Sequence, residues 1–290
     1  MIIRIISTIV LLALFIPALL LCSTQQWSFL IAVLIGICGW EFANLIGFNK
    51  TKIQIFFGIA YGVFCWILYY IFAAEISDIK LLLESKFIYN FYFSISIFWT
   101  IFIPLILKFN TLGKIKEQNI NLFKVVGILL SLLVLLPTWF AMIVLREISV
   151  LTLILFMAIV WVADSFAYFG GKMFGKHKLT ITISPRKTIE GAAVALLSLI
   201  IYALLLNHFG LLDNIFTTTE NSDLYFLLGA IYLGIISIYG DLFESYLKRL
   251  SDIKDSSQIL PGHGGMLDRI DSLTATLPIS LFLLINFAKY

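Results

Sequence analysis

Acidic side chains inside otherwise apolar stretches are the first candidates for chemistry in this sequence. Glu41, Asp164, Asp241 and Glu244 each interrupt a long run of apolar residues. An ionisable group in an apolar environment carries a free-energy cost, and it is rarely found there unless it is paired or used. We therefore treat these four positions as candidate functional residues.

The stretch that contains Asp241 carries a polar stripe. Asp241, Glu244, Ser245 and Lys248 are spaced i, i+3, i+4 and i+7, which places them on one face of an α-helix. One interpretation is a functional site at the end of this helix. The other is a frayed helix end at which Glu244 and Lys248 form an ordinary ion pair.

The segment after this stripe has little side-chain bulk. It contains Pro261-Gly262-His263-Gly264-Gly265, whose backbone can approach a ligand closely. The N–H groups of residues such as Gly264 and Gly265 can then bind an anion. His263 is either a general base or an imidazole that contacts phosphate or supports the turn.

Two further acids follow the glycine-rich segment. Asp268 and Asp271 are spaced i and i+3 at the start of the last apolar stretch, where a carboxylate can cap a helix or hold a hard cation. A cap needs only one of them. Mg²⁺ is usually bound by one or two protein carboxylates, water and substrate phosphates, so we predict Asp241, Asp268 and Asp271 as metal ligands.

Positive charge is concentrated after the stretch that contains Asp164. We include Asp164 among the substrate-binding candidates. Ser184 is predicted to cap a helix that begins with Pro185. The free N–H groups at such a helix start suit a phosphate, and Arg186 and Lys187 add charge.

The lysines of the same segment have a simpler alternative explanation. Lys172, Lys176 and Lys178 fit an ordinary positively charged cytoplasmic loop. Gly170 to Lys176 also matches the spacing G-x-x-x-x-G-K. No strand precedes it, and His177 stands where a P-loop has Ser or Thr, which argues against a P-loop.

The elements that position these residues must lie in a membrane. The chain has 290 residues, of which 61% are apolar and 13% charged, and its mean hydropathy is +1.01. Soluble domains are about 45–50% apolar and about 25% charged. The composition excludes disordered, collagen-like, coiled-coil and disulfide-scaffold classes. Cys22, Cys38 and Cys65 lie in apolar runs and are expected to be reduced.

We predict an all-α, polytopic integral membrane protein with about nine transmembrane helices. It forms a single membrane domain over residues 1–290, in which residues 1–145 are scaffold helices and residues 146–290 are catalytic helices and cytoplasmic loops. The predicted spans are Ile2–Cys22, Trp27–Ile46, Ile53–Ala73, Phe87–Leu107, Val125–Leu145, Ser149–Phe169, Ala192–Phe209, Leu224–Leu247 and Leu273–Phe287.

The distribution of basic residues orients these spans. With nine helices, 16 of the 20 Lys and Arg residues fall on the side of the N-terminus. Cytoplasmic loops carry this excess, so we predict a cytoplasmic N-terminus and a C-terminus on the opposite side. All four acids of the apolar stretches then lie in the cytoplasmic halves of their helices, as expected for a polar cavity that opens to the cytosol.

Carboxylates, a glycine-rich turn and clustered basic residues together indicate polyphosphate chemistry on a lipid. Phosphoryl and nucleotidyl transfer depend on a metal ion, on cations that stabilise developing charge and on positioning, more than on a covalent contribution from the protein.

With these residues, the sequence resembles the CDP-diacylglycerol synthases (phosphatidate cytidylyltransferases). The similarity covers about Asp164 to Ser272, whereas residues 1–145 match only in hydropathy. It includes Asp164–Gly171 and Ser184–Gly191, and the run that resembles the C-terminal signature of the family is Ser245-x-x-Lys248-Arg249-x-x-x-x-Lys254-Asp255-x-x-x-x-Leu260-Pro261-Gly262-His263-Gly264-Gly265-x-x-Asp268-Arg269-x-Asp271-Ser272.

The resemblance implies that CTP and phosphatidic acid react to give CDP-diacylglycerol and pyrophosphate. It also implies a requirement for Mg²⁺ and allows a second, monovalent cation such as K⁺. By position, Asp241 and Asp271 would be the main metal ligands and Asp268 a further ligand or a supporting group. The residues that would bind phosphates are Lys248, Arg249 and Arg269, with Ser184, Arg186 and Lys187 helping to hold nucleotide or lipid phosphate.

The expected partners are CTP, phosphatidic acid and the lipid bilayer, with no nucleic acid. The resemblance suggests a homodimer in a bacterial inner membrane, with its active site facing the cytoplasm. Two other functions stay open. A CTP-dependent lipid or polyprenol kinase would use similar groups but release CDP, and a transporter would use Asp164 and Asp241 as relay groups without turnover of CTP.

Overall fold

The protein is helical throughout the part of the chain that the structure describes. The computed structural model describes residues 2–212 and 222–287, which contain thirteen α-helices, one π-helical turn and no β-strand. The helices are α1 (Ile2–Leu21), α2 (Thr24–Leu45), α3 (Thr51–Ile71), α4 (Ala73–Ser77), α5 (Ile79–Glu84), α6 (Lys86–Ile97), α7 (Ile103–Phe109), α8 (Thr111–Gln118), α9 (Ile120–Ile148), α10 (Val150–Phe174), α11 (Ile189–His208), α12 (Ser222–Leu250) and α13 (Leu267–Phe287).

The all-α membrane fold predicted from the sequence is confirmed. Seven helices in the described residues are long and apolar enough to cross a membrane: α2, α3, α6 continued by α7, α9, α10, α11 and α12. The first and last predicted spans fall on α1 and α13. The number of nine spans and their orientation stay predictions. Lys289, one of the four basic residues predicted on the side opposite the N-terminus, lies outside the described residues.

The fourth span changes its helical geometry halfway. Phe98–Phe102 form a π-helical turn between α6 and α7, and the N–H of Ile103 donates to the carbonyl of Phe98. Pro104 follows directly and has no N–H to donate to the carbonyl four residues earlier. A π-turn is a common local solution to such a break in the hydrogen-bond ladder.

Close backbone approaches position the polar ends of α10 to α13. At the crossing of α10 and α11, a Cβ atom on Gly191 would lie 2.7 Å from the carbonyl oxygen of Ala167. At the crossing of α12 and α13, a Cβ atom on Gly240 would lie 2.8 Å from the carbonyl oxygen of Asp271. Small residues allow helices to pack this closely in membranes, and the second contact brings Asp241 beside Asp271.

The predicted helix start at Ser184 and Pro185 is wrong. Helix α11 begins only at Ile189, and the N-cap is Thr188, whose hydroxyl accepts a backbone N–H of the first helical turn at 3.1 Å. The carbonyl of Ser184 instead accepts the N–H of Lys187 at 3.2 Å in a turn. Two backbone hydrogen bonds, from residue 179 to 187 and from residue 189 to 177, hold this segment as a short extended pair and delay the helix.

Candidate active site

A cavity of about 810 Å³ lies where the polar ends of α10 to α13 meet. Ligand-binding cavities commonly have volumes of about 300–1,000 Å³. The residues that line this cavity come from both the apolar spans and the two loops, so one space brings together distant parts of the sequence. It contains nine of the predicted site residues: Asp164, Arg186, Lys187, Asp241, Lys248, His263, Asp268, Arg269 and Asp271.

Four predicted site residues lie beside the cavity without lining it. Ser184 belongs to the turn before Lys187, and Arg249 donates through Nε to the carbonyl of Ile183 at 3.3 Å. Gly264 and Gly265 form the backbone of the glycine-rich turn. These four residues support the loops around the cavity.

Lys187 lies among the acids of the cavity. Its Nζ is 2.7 Å from Oδ2 of Asp241, and the two side chains are 24% and 30% exposed. Asp164 and Asp271 lie close enough that their charges interact with those of Asp241 and Lys187. Three carboxylates on α10, α12 and α13 therefore share one cation from the loop before α11.

Lys248 has a different environment. Its Nζ is 2.6 Å from Oδ1 of Asp268 and also contacts Oε2 of Glu244, four residues earlier on α12. The side chain of Lys248 is 13% exposed and those of both acids are 5% exposed. The predicted polar stripe of α12 thus forms, and it joins α12 to the first turn of α13.

Asp268 holds the glycine-rich turn. Its Oδ2 accepts the N–H of Gly265 at 2.7 Å, and the N–H and hydroxyl of Ser256, both at 2.9 Å. With Lys248 on Oδ1, both carboxylate oxygens of Asp268 are occupied by protein donors. Among the three predicted metal ligands, Asp268 therefore acts in this structure as a supporting group.

The glycine-rich turn has a backbone that requires glycine. Gly264 has a φ angle of +84°, a region that residues with a Cβ atom rarely adopt. Its carbonyl accepts the N–H of Leu260 at 2.9 Å. The N–H of Gly265 donates to Asp268, so an anion does meet the backbone of this turn, but it is a carboxylate of the protein.

His263 lies at the edge of the cavity next to α1. Its Nδ1 is 2.6 Å from the hydroxyl of Ser7, which also lies 3.2 Å from the carbonyl oxygen of Pro261. The N–H of His263 donates to the carbonyl of Leu260 at 2.9 Å. This contact with α1 connects the turn to the first helix of the chain.

One wall of the cavity is apolar and was not predicted. The sequence does not separate apolar residues that line a cavity from apolar residues that face lipid, because every span consists mostly of apolar residues. The residues of this wall are identified only because α1, α9 and α10 each contribute side chains to the same cavity. This wall includes Leu11, Leu12 and Phe15 from α1, Met142 from α9, and Met157 and Trp161 from α10.

The magnesium site predicted from the sequence can be compared with the number of acids that the cavity brings together. Among the described residues, no group of three or more His, Cys, Asp or Glu side chains is arranged to hold a metal ion by itself. Mg²⁺ usually needs only one or two protein carboxylates, with water and substrate phosphates as the other ligands. Asp241 and Asp271, brought together at Gly240, provide that number of carboxylates.

Comparison with known proteins gives similarity over almost the whole chain. The profile of the cytidylyltransferase family matches residues 2–287. The phosphatidate cytidylyltransferase of Pseudomonas aeruginosa is 34% identical over 284 residues, which are 97% of this chain and 96% of the relative. That of Haemophilus influenzae is 32% identical over 290 residues, 95% of each chain. That of Thermotoga maritima is 40% identical over 135 residues, 47% of this chain and 49% of the relative.

Proposed function

The chain belongs to the cytidylyltransferase family, and from this premise we propose that it transfers the cytidylyl group of CTP to phosphatidic acid. The products are CDP-diacylglycerol and pyrophosphate. The relatives that align with nearly the full chain carry the name of this activity. The protein is a nucleotidyltransferase of phospholipid biosynthesis.

The observation that carries the proposal is that charged and apolar side chains line the same cavity. The lining includes Lys187, Asp241 and Asp271 and also apolar side chains such as Leu12 and Trp161. A reaction between a water-soluble nucleotide and a lipid requires both surfaces within reach of one reacting centre. A cavity that offers only one of them would favour a soluble substrate or a lipid alone.

The proposed step is a single displacement at phosphorus. A phosphate oxygen of phosphatidic acid attacks the α-phosphorus of CTP and forms the new P–O bond. The bond between the α-phosphorus and the oxygen bridging to the β-phosphorus breaks, and its electron pair leaves with pyrophosphate. The step needs no nucleophilic Ser or Cys and no redox partner.

Basic residues of the cavity are suited to hold the phosphates. Arg186 and Arg269 are exposed to the cavity, and a guanidinium can bind two phosphate oxygens at once. Lys187 is held at Asp241 and can redirect its ammonium group toward a phosphate that enters beside it. Charge that develops on the phosphates is thereby stabilised by positioned cations.

Mg²⁺ is part of the proposal, with Asp241 and Asp271 as the residues that would hold it. When bound, it would neutralise phosphate oxygens and orient the triphosphate. Asp268, whose oxygens are occupied by Lys248 and the glycine-rich turn, would support this pair indirectly. We also propose that the protein accepts a second, monovalent cation such as K⁺, with no residue assigned to it.

The relatives are bacterial proteins, and the apolar helices indicate an integral membrane protein. We extend this to a bacterial inner membrane, with the active site on the cytoplasmic side because most basic residues were predicted there. A homodimer is also proposed, on family resemblance alone.

Labelled CTP tests the reaction directly. The purified full-length protein in detergent is incubated with phosphatidic acid, Mg²⁺ and CTP that carries ³²P at either the α- or the γ-phosphate. We expect the α-label in the lipid and the γ-label in pyrophosphate. Transfer of the γ-label to an added lipid or polyprenol would identify a kinase, and absence of any transfer would refute the proposed function.

A further inference from the structure

Glu41 is a buried acid that the proposed reaction leaves without a role. It lies on α2 and is 0% exposed, and the cavity lining drawn from the described residues does not include it. A carboxylate buried in this way must be matched by donors, because its desolvation is otherwise too costly. Its partners therefore indicate why it is there.

Both oxygens of Glu41 accept hydrogen bonds from the segment that precedes and begins α13. Oε1 accepts the hydroxyl of Ser257 at 2.6 Å and the N–H of Met266 at 2.9 Å. Oε2 accepts the N–H of Leu267 at 2.6 Å and the hydroxyl of Ser256 at 3.2 Å. One side chain thus binds the chain before and after the glycine-rich turn, at residues 256–257 and at residues 266–267.

Two of these donors belong to the start of α13. The first N–H groups of a helix have no acceptor within the helix, and the positive end of the helix dipole favours a negative charge there. Glu41 accepts the N–H groups of Met266 and Leu267 and thereby caps α13 from a different helix. The cap fixes where α13 begins relative to α2.

Asp268 also accepts hydrogen bonds from this segment. It binds the backbone of Ser256 and Gly265, as described above, and the hydroxyl of Ser256 lies between the two carboxylates, 2.9 Å from Asp268 and 3.2 Å from Glu41. A hydroxyl has one hydrogen and can donate to only one of them at a time. The two acids share this hydroxyl, so they form one hydrogen-bonded network around residues 256–268.

Very little space separates Glu41 from the turn. A Cβ atom on Gly265 would lie 2.4 Å from Oε1 of Glu41 and 2.0 Å from the hydroxyl oxygen of Ser256. The carboxylate lies directly against the backbone, so a change in its shape or hydrogen bonding must move the turn. The first turn of α13 carries Arg269, and Asp271 follows directly after that turn.

We propose that Glu41 is a positioning residue for cytidylyl transfer, which acts by anchoring the glycine-rich turn and the start of α13. The anchor keeps Arg269 and Asp271 directed at the cavity. This inference rests on the proposed function of the cavity. It assigns a task in the reaction to a helix of the N-terminal half, outside the region of motif resemblance.

The test compares Glu41→Gln with a matched substitution on another helix. Glu147→Gln makes the same chemical change in a carboxylate that accepts the hydroxyl of Thr24 at 2.6 Å, at the opposite end of α2. Two readouts are taken on the purified full-length proteins: kcat/KM for CTP, and backbone hydrogen exchange of residues 256–270 without substrates.

We expect Glu41→Gln to lower kcat/KM for CTP by about tenfold or more, as for other groups that orient ligand-binding side chains. Exchange in residues 256–270 should accelerate, because Met266 and Leu267 lose a charged acceptor. Glu147→Gln should change neither readout. Glu41→Asp keeps the charge with a shorter reach, so its values should lie between those of Glu41→Gln and the unaltered protein.

Two results would overturn the inference. One is faster exchange in Glu41→Gln with unchanged kcat/KM; the other is a loss of kcat/KM with unchanged exchange. If Glu41→Gln does not fold, Glu41→Asp and Ser257→Ala are judged by the same pair of readouts. Absence of transfer by the unaltered protein would instead refute the proposed function, which keeps the two failures distinct.

Discussion

Single residues of the cavity differ in what their charges are paired with. Lys187 and Asp241 pair with each other at 2.7 Å and remain partly exposed, so both can change partner when a substrate enters. Lys248 and Asp268 are more deeply buried and also bind Glu244 and the glycine-rich turn. The first pair therefore suits ligand binding, and the second suits support of the loops.

Replacement of Lys187 tests the role of the first pair. Lys187→Met removes the cation from among three carboxylates, so we expect turnover to fall by about tenfold or more. Lys187→Arg keeps the charge but has a different shape and donor geometry, and we expect partial activity. The measurement is the rate of labelled-lipid formation at saturating CTP.

Lys172→Met is the control for this substitution. Lys172 is an exposed lysine near the end of α10, within the same positively charged region. Its loss should leave turnover within about twofold, since exposed charges away from a site contribute little. An equal loss of activity in both variants would mean that general positive charge, and not the position of Lys187, is what matters.

The residue types of the site could be predicted from the sequence, but not all of their partners. Asp241 is recognisable because an acid is costly in an apolar stretch, and Asp271 because it follows Asp268 by three residues at the start of the last apolar stretch. Glu41 was flagged for the same reason. Its donors Met266 and Leu267 are more than 200 positions away along the chain, and only the packing of α2 against the glycine-rich turn reveals them.

At the scale of elements, the glycine-rich turn depends on a backbone conformation and on space. Gly264 has a φ angle of +84°, and a Cβ atom there would lie 2.7 Å from Oδ2 of Asp268. That oxygen is held by Ser256 and Gly265 and cannot move away without breaking those bonds. Any side chain at position 264 therefore disturbs the support of the cavity.

Gly264→Ala tests this dependence, with Gly47→Ala as its matched control. Gly47 has nearly the same φ angle, +85°, but a Cβ atom there would meet only the side chain of Lys124, at 3.8 Å. Both substitutions add about 1 kcal/mol of backbone strain. Only Gly264→Ala should also reduce turnover substantially, as measured with labelled CTP. Equal turnover in the two variants would contradict the proposed role of the turn.

The local sequence predicts the positions of the long helices but not the start of α11. Hydropathy located the helices because every span must satisfy its own backbone hydrogen bonds. Ser184 and Pro185 are favourable residues for a helix start, yet α11 begins at Ile189. There, backbone pairing between residues 177–179 and 187–189 outweighs local propensity, and such pairing depends on a fold that the local sequence does not specify.

At the scale of the whole molecule, the predicted division into scaffold and catalytic halves has contacts across it. Helix α1 supplies Leu11, Leu12 and Phe15 to the cavity wall, and Arg146 of α9 donates to the carbonyl of Leu19 at 2.9 Å near the end of α1. The N-terminal helices thus contribute directly to the space in which the lipid is proposed to bind.

The apolar wall predicts separate effects on the two substrates. Leu12 lines the cavity, whereas Leu14 on the same helix is 68% exposed. Leu12→Trp adds bulk to the lipid side, so we expect the KM for phosphatidic acid to rise severalfold while the KM for CTP is unchanged. Leu14→Trp should change neither constant. A rise in the KM for CTP alone would show that this wall belongs to the nucleotide site.

The central claim is that the acids at the junction of α12 and α13 carry out nucleotidyl transfer on a lipid. Its most direct test is the initial rate of α-³²P transfer from CTP to phosphatidic acid by Asp241→Asn and Asp271→Asn. Asp223→Asn, near the opposite end of α12 and bonded to Asn207 at 2.9 Å, is the control. We expect a loss on the order of a hundredfold or more in both cavity variants and an unchanged rate in the control. A near-native rate in either cavity variant would contradict the claim.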